Sequence, residues 1–126
     1  MYYSSSTLIN QDFMSSAKAK QDQFFEQLCN TLVHVHSKKE AEILLHDLFT
    51  PQELAKISER LKIVDMLAQG LPQRTIKKNL KVSIALVTRG SRAFKKSQGG
   101  FEFILKAIHG AKWWQASSNL RRQKMA

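Results

Sequence analysis

Residues 73–96 read Gln-Arg-Thr-Ile-Lys-Lys-Asn-Leu-Lys-Val-Ser-Ile-Ala-Leu-Val-Thr-Arg-Gly-Ser-Arg-Ala-Phe-Lys-Lys, two short helical patterns on either side of Lys81-Val82-Ser83. In the first pattern Ile76 and Leu80 stand four residues apart and share a helical face. In the second, Ile84, Val87 and Phe94 are the expected buried side. Ser83 suits the N-cap of the second helix, because its hydroxyl can accept an otherwise unpaired backbone N–H. This is the layout of a helix-turn-helix, whose second helix enters the DNA major groove. Charge points the same way. No acidic residue occurs between Asp65 and Glu102, whereas Arg74, Lys77, Lys78, Lys81, Arg89, Arg92, Lys95 and Lys96 all fall in that interval. A field of one sign at this density suits a polyanion.

Upstream of this stretch the chain reads as helices. Phe24, Phe25, Leu28, Leu32 and Val35 recur at steps of three and four, which predicts a helix over 17–36. A second helix is expected from Lys38 to about Phe49, with Ser37 and Glu40 at capping-box spacing and Ile43, Leu44, Leu45 and Leu48 on its buried side. The third is the best specified. Thr50 is a natural N-cap, Pro51 fits the first helical position, and Glu53 completes a capping box. Leu54, Ile57, Leu61, Val64, Leu67 and Ala68 line one face, and Gly70 ends the helix. Pro72 is expected to open the next helix as Pro51 opens this one. Past Gly99-Gly100, the residues Phe101, Ile104, Leu105 and Ile108 predict a last amphipathic helix.

No alternating strand pattern appears, so the expected fold is all-α, with six short helices. Residues 1–16 read as an N-terminal arm, 17–110 as the helical domain and 111–126 as a basic C-terminal tail. The pair Trp113-Trp114 either caps the last helix or marks a further contact. Short helices are marginal alone. A chain of 126 residues would struggle to cover so many apolar faces, which argues for an intertwined homodimer.

Composition narrows the class. The formal net charge is +10, favouring nucleic acid over acidic small substrates. The lone Cys29 excludes an intrachain disulfide and fits a reducing interior. No apolar run nears the length needed to span a bilayer, and no signal peptide is visible, so a cytoplasmic location with no membrane partner is expected. His34 and His36 are two residues apart and would diverge on a helix. His46, His109 and Cys29 lack evident partners, and no glycine-rich phosphate loop occurs. The expectation is no enzyme, no catalytic residue and no metal.

The words of the sequence go further. Leu48-Phe49-Thr50-Pro51-Gln52-Glu53, Arg60-Leu61-Lys62-Ile63-Val64, Gln73-Arg74, Ser83-Ile84-Ala85 and Thr88-Arg89-Gly90-Ser91 resemble, in order and spacing, the Trp repressor family. The resemblance spans roughly Phe24 to Ile108. It implies an intertwined all-helical homodimer that uses L-tryptophan as corepressor. With the ligand bound, such a dimer represses tryptophan biosynthesis or transport genes by gripping double-stranded operator DNA. Arg60 matches the arginine that holds the ligand carboxylate, and a fork of N–H donors suits that group. Arg89 matches the arginine that stacks on the indole. Thr50 of the second subunit would complete the pocket, lined by Val64 and Gly90. On the DNA side, Gln73, Arg74 and Lys77 match contacts of the first motif helix. Ile84 and Ala85 match the base-approaching end of the reading helix, Thr88 matches a phosphate contact, and Arg89 is shared by both sites.

Some positions depart from the family pattern. Leu86 stands where the best-known member has threonine, and Ala93 where it has serine; both changes remove a hydroxyl. The link between Gly70 and Gln73 is one residue shorter. Lys81 takes the turn position where glycine is common, a left-handed conformation that costs a side-chain-bearing residue about 1 kcal/mol. Three readings therefore stand: a tryptophan-dependent repressor, a ligand-independent regulator or one with a different ligand on the same fold, and a helical module that binds nucleic acid without base readout.

Overall fold

A computed structural model describes residues 16–125. Over these residues the chain is all-helical, with seven α-helices: α1 (Ala17–Leu32), α2 (Lys38–Leu48), α3 (Pro51–Ala68), α4 (Gln73–Leu80), α5 (Ile84–Lys95), α6 (Gly100–His109) and α7 (Ala111–Met125). The expected arm lies outside the described residues except for Ser16, whose hydroxyl caps α1 by accepting from the Ala19 N–H at 3.1 Å. The chain divides into two compact units between Leu48 and Phe49.

The first unit contains α1 and α2. Helix α1 stops at Leu32, four residues short of the expected end. Local polar groups terminate it: Thr31 Oγ1 donates to the Gln27 carbonyl and His34 Nδ1 to the Asn30 carbonyl, each at 2.8 Å. The Val33 N–H closes the last turn onto Cys29. Such side-chain bonds offer the backbone an alternative to further helix, and the β-branched Val33 and Val35 add little helical preference of their own. The capping box of α2 forms in an altered version. Ser37 Oγ accepts from the Glu40 N–H at 3.1 Å, but Glu40 Oε1 reaches back one residue further than expected, to the His36 N–H at 2.8 Å. No residue of either helix is buried in this chain. Phe24 and Phe25 keep 65% and 66% of their surface exposed, while Leu28, Val35 and Leu44 are half-buried, so the stripes expected to be core are only partly covered among the described residues.

The second unit is built on α3. Its capping box is complete: the Thr50 N–H donates to Glu53 Oε1 at 2.9 Å and the Glu53 N–H to Thr50 Oγ1 at 3.1 Å, with Pro51 beginning the helix. Its far end closes with the Gly70 N–H on the Leu67 carbonyl and the Leu71 N–H on the Met66 carbonyl, while Gly70 takes φ +92°. That paired closure is the Schellman motif. Pro72 is the N-cap of α4 rather than its first helical residue.

Two apolar clusters fill the space around α3. Ile63, Met66 and Leu67 pack with Ile76 of α4 and Val87 of α5, with Leu71, Leu80, Val82, Leu86 and Phe94 at the margin. Val64 and Ala68 pack with Leu105 of α6, flanked by Phe94, Phe101, Trp113 and Trp114. Full burial of one such aliphatic side chain contributes about 1.5–3 kcal/mol, so these two clusters hold the helix-turn-helix on its base. Earlier along α3 the pattern differs: Ile57 and Leu61, expected in the core, are exposed, as are Ile84, Ile104 and Ile108 on other helices.

Helix α7 replaces the expected tail, one helix more than the sequence reading gave. It packs on both α6 and α3. Gly110, at φ +98°, turns the chain into it.

Candidate nucleic-acid interface and ligand pocket

Helices α4 and α5 meet through a turn that the sequence specifies residue by residue. Lys81 closes α4 in the left-handed region, at φ 56° and ψ 43°, the one described non-glycine residue with positive φ. Ser83 caps α5, accepting from the Leu86 N–H at 3.2 Å. Ile76 and Val87 have no accessible surface and clamp the two helices on α3.

The opposite surface of this motif is open. Arg74, Lys77, Lys78, Lys81, Arg89, Arg92, Lys95 and Lys96 are all exposed. Among the described residues, none of the eight joins an ion pair; the pairs present involve Lys38, Lys106 and His109. The charge is therefore uncompensated, as a phosphate-facing surface requires. Gln73 begins α4 half-buried, with Arg74 and Lys77 exposed beyond it. Ile84 and Ala85 stand exposed in the first turn of α5, and Thr88 is half-buried. Ile84 is 49% exposed, so it leaves the core expected for it and becomes an apolar tip on α5. It sits at the helix start, where the chain turns away from the core.

The residues expected to form a ligand pocket are only partly gathered. Gly90 is buried where α5 crosses α3, and a methyl group added there would come within 2.5 Å of Ile63 Cγ2. Arg89 precedes Gly90 and Arg60 lies one turn before Ile63, so exposed arginines flank this crossing on both helices. Val64 is wholly buried against Ala68 and Leu105, a wall of the core rather than an open surface. Thr50 is not brought to the crossing. Ten residues of helix separate it from Arg60, about 15 Å along the axis, and its hydroxyl already caps α3. Leu86 is packed at the margin of the Ile63 cluster. Among the described residues, no group of three or more His, Cys, Asp and Glu side chains is placed to hold a metal ion. No described helix is long and apolar enough to cross a membrane.

The sequence reading missed the contacts of α7. Arg121 Nη1 donates to the Ala68 carbonyl at 2.6 Å, and its guanidinium lies 4.1 Å over the Trp114 ring. His109 Nε2 donates to Asp65 Oδ1 at 3.0 Å and its ring stacks 4.2 Å from Trp113. Trp113, Trp114, Ser117, Leu120 and Arg121 follow helical steps of three and four, a signal present in the chain but masked by the polar residues between them.

The fold and its exposed basic motif define an all-α helix-turn-helix protein. A family model described as Trp repressor protein matches residues 22–109. Among curated proteins, the chain is similar to a Trp operon repressor homolog of Vibrio vulnificus (strain YJ016), with 38% identity over 72 residues, covering 56% of this chain and 71% of the relative. A homolog of the same description from Vibrio campbellii (strain ATCC BAA-1116) is 35% identical over 85 residues, 67% of this chain and 85% of the relative. One from Pasteurella multocida (strain Pm70) is 47% identical over 58 residues, 45% and 56%. No solved structure matches the chain significantly. The chain belongs to the Trp repressor family. It is accordingly a transcriptional regulator and not an enzyme.

Proposed function

We propose that the protein is a sequence-specific repressor that binds double-stranded operator DNA as a homodimer in the cytoplasm. L-Tryptophan acts as its corepressor, and the controlled genes serve tryptophan biosynthesis or transport. The observation that carries this reading is the Gly90–Ile63 crossing with Arg60 and Arg89 exposed on either side of it. An amino acid seated there would offer its carboxylate to the Arg60 fork and its indole to the flat face of Arg89. It would thereby set the angle between α3 and α5. Thr50 would reach this pocket from the second subunit, since its own α3 carries it away.

The exposed apolar residues support the dimer. Phe24, Phe25, Ile43 and Leu48 in the first unit, and Ile57, Leu61 and Ile108 in the second, need a partner of the same chemistry. Two copies of the motif would then address successive major grooves, about 34 Å apart. Arg74 and Lys77 would hold phosphates. Ile84 and Ala85 would approach base edges, with Gln73, Thr88 and Arg89 fixing register. Ligand would tighten operator binding only insofar as it prefers the competent orientation.

Calorimetric titration with L-tryptophan, followed by operator binding with and without it, tests the reading. Heat of binding and a rise in operator affinity are expected. DNA binding that persists unchanged with no heat at millimolar L-tryptophan would overturn it. That outcome would favour a ligand-independent regulator, the reading supported by the packing of Leu86 at the margin of the Ile63 cluster and by the missing hydroxyl at Ala93.

A further inference from the structure

Helix α7 lies beyond the family match, which ends at residue 109, yet its side chains touch three parts of the reading head. Leu120 presses on Gly70, at the closure of α3: a Cβ on the glycine would fall 2.7 Å from the Leu120 Cβ. Trp114 meets Phe94, in the last turn of α5, edge-on at 6.4 Å between ring centroids. Arg121 joins these contacts. Its guanidinium lies 4.1 Å over Trp114 and 5.9 Å from the Phe94 ring, and it donates to the Ala68 carbonyl at 2.6 Å.

The chemistry of the spot is specific to a guanidinium. Ala68 is the last residue of α3, where the helix dipole is negative and a carbonyl is left over by the Schellman closure. A planar cation can satisfy that carbonyl at its edge while laying its face on an indole. One side chain thus ties the end of the supporting helix to the Trp114–Phe94 pair, whose Phe94 stands in the last turn of the reading helix.

We propose that Arg121 is a positioning residue for the reading helix: through Ala68, Trp114 and Phe94 it holds α5 on α3 in the DNA-competent orientation before any ligand binds. The inference rests on the tryptophan-responsive repressor reading above. A ligand can shift an equilibrium only to the extent that the competent state is not already populated. The C-terminal helix therefore supplies part of the ordering that a corepressor would otherwise provide, and it lowers the gain in operator affinity that L-tryptophan brings.

The test uses the full chain and its Arg121→Gln variant, with a fluorescent duplex carrying a trp operator sequence and a scrambled duplex as control. Affinities are read with and without saturating L-tryptophan across a salt series. In the absence of L-tryptophan the variant is expected to bind operator about tenfold more weakly than the wild type. Saturating L-tryptophan should restore it to within about threefold. The salt slope should be unchanged, because a positioning residue neutralises no phosphate. Where the wild type binds L-tryptophan, equal loss with and without it would overturn the proposal; no loss would overturn it in either case. A slope shallower by about one would make Arg121 a phosphate contact instead. Arg121→Lys keeps a donor for Ala68 but loses the flat face, so it should show a smaller loss that L-tryptophan also reverses. It carries the same test should the glutamine variant fail to fold. A wild type that ignores operator sequence, or gives no heat with L-tryptophan, overturns the functional reading. In the second case, a salt-independent loss of operator affinity in Arg121→Gln still supports the positioning role.

Discussion

Gly90 of α5 rests directly on Ile63 of α3, with no room for a side chain between them. Thr-Arg-Gly-Ser is thus a packing statement: the glycine lets α5 approach α3, and Arg89 beside it stays at the surface. Gly90→Ala should force the two helices apart. The expected loss of stability is about 1–3 kcal/mol, the usual cost of overpacking a tight core. Urea unfolding of the variant checks this, and a midpoint equal to wild type would show that α5 has slack against α3.

Lys81 supports the opposite change. Its left-handed backbone, φ 56°, costs a residue with a Cβ about 1 kcal/mol. Lys81→Gly should relieve this, less the extra freedom glycine gains in the unfolded chain, for a net rise in melting temperature. A fall would mean that the lysine makes a stabilising contact outweighing its backbone strain.

Thr50 and Glu53 predict an acid-sensitive helix start. The Glu53 carboxyl is held below the ordinary carboxylate range, first by the backbone N–H of Thr50 and then by its side chain. A depressed pKa stabilises the fold above the unfolded-state value, and the contribution disappears as pH falls through the folded-state value. Unfolding between pH 7 and pH 3 should therefore show a loss at the acid end that Glu53→Gln lacks and that Thr50→Ala, which keeps the backbone N–H, only partly reduces. At neutral pH, removing the threonine cap should cost about 0.5–2 kcal/mol. An unaltered acid limb in Glu53→Gln would place its origin at another carboxylate.

Lys77 and Arg89 should separate by how they fail. Lys77→Ala is expected to weaken operator and scrambled duplex alike and to lower the salt slope by about one. Arg89→Ala should lose both operator affinity and the response to L-tryptophan. Sequence-selective collapse in Lys77→Ala would make it a base reader, and an intact ligand response in Arg89→Ala would remove that residue from the pocket.

The parts of this fold legible in the sequence are those fixed by local chemistry. Thr50-Pro51-Glu53, Ser83 and Gly70 each specify a helix end through bonds spanning only a few residues, and each forms as read. Ile76 and Val87 fall in the core because their face is apolar on a short, otherwise basic helix. The errors lie where burial depends on a partner or on distant chain. Phe24, Ile57 and Leu61 have the period of core residues but stay exposed in a single chain, since periodicity shows that a face needs cover and not what covers it. Helix α7 was hidden for a related reason: its buried face combines an arginine, a serine and two tryptophans, and only the tertiary contact to Ala68 makes the arginine an inside residue. The candidate site follows suit. The resemblance pairs Arg60 with Arg89 and takes Thr50 from a second subunit; within one chain the length of α3 sets Thr50 about 15 Å from Arg60 along the helix axis.

The eight unpaired cations of the reading head carry a thermodynamic consequence. Brought together by folding with no ion pair among the described residues, they repel one another, and in the free protein this repulsion opposes the compact state. Added electrolyte weakens the repulsion while it also competes for the DNA backbone. Ionic strength thus acts on the two properties with opposite sign: the free protein melts later as its hold on DNA loosens.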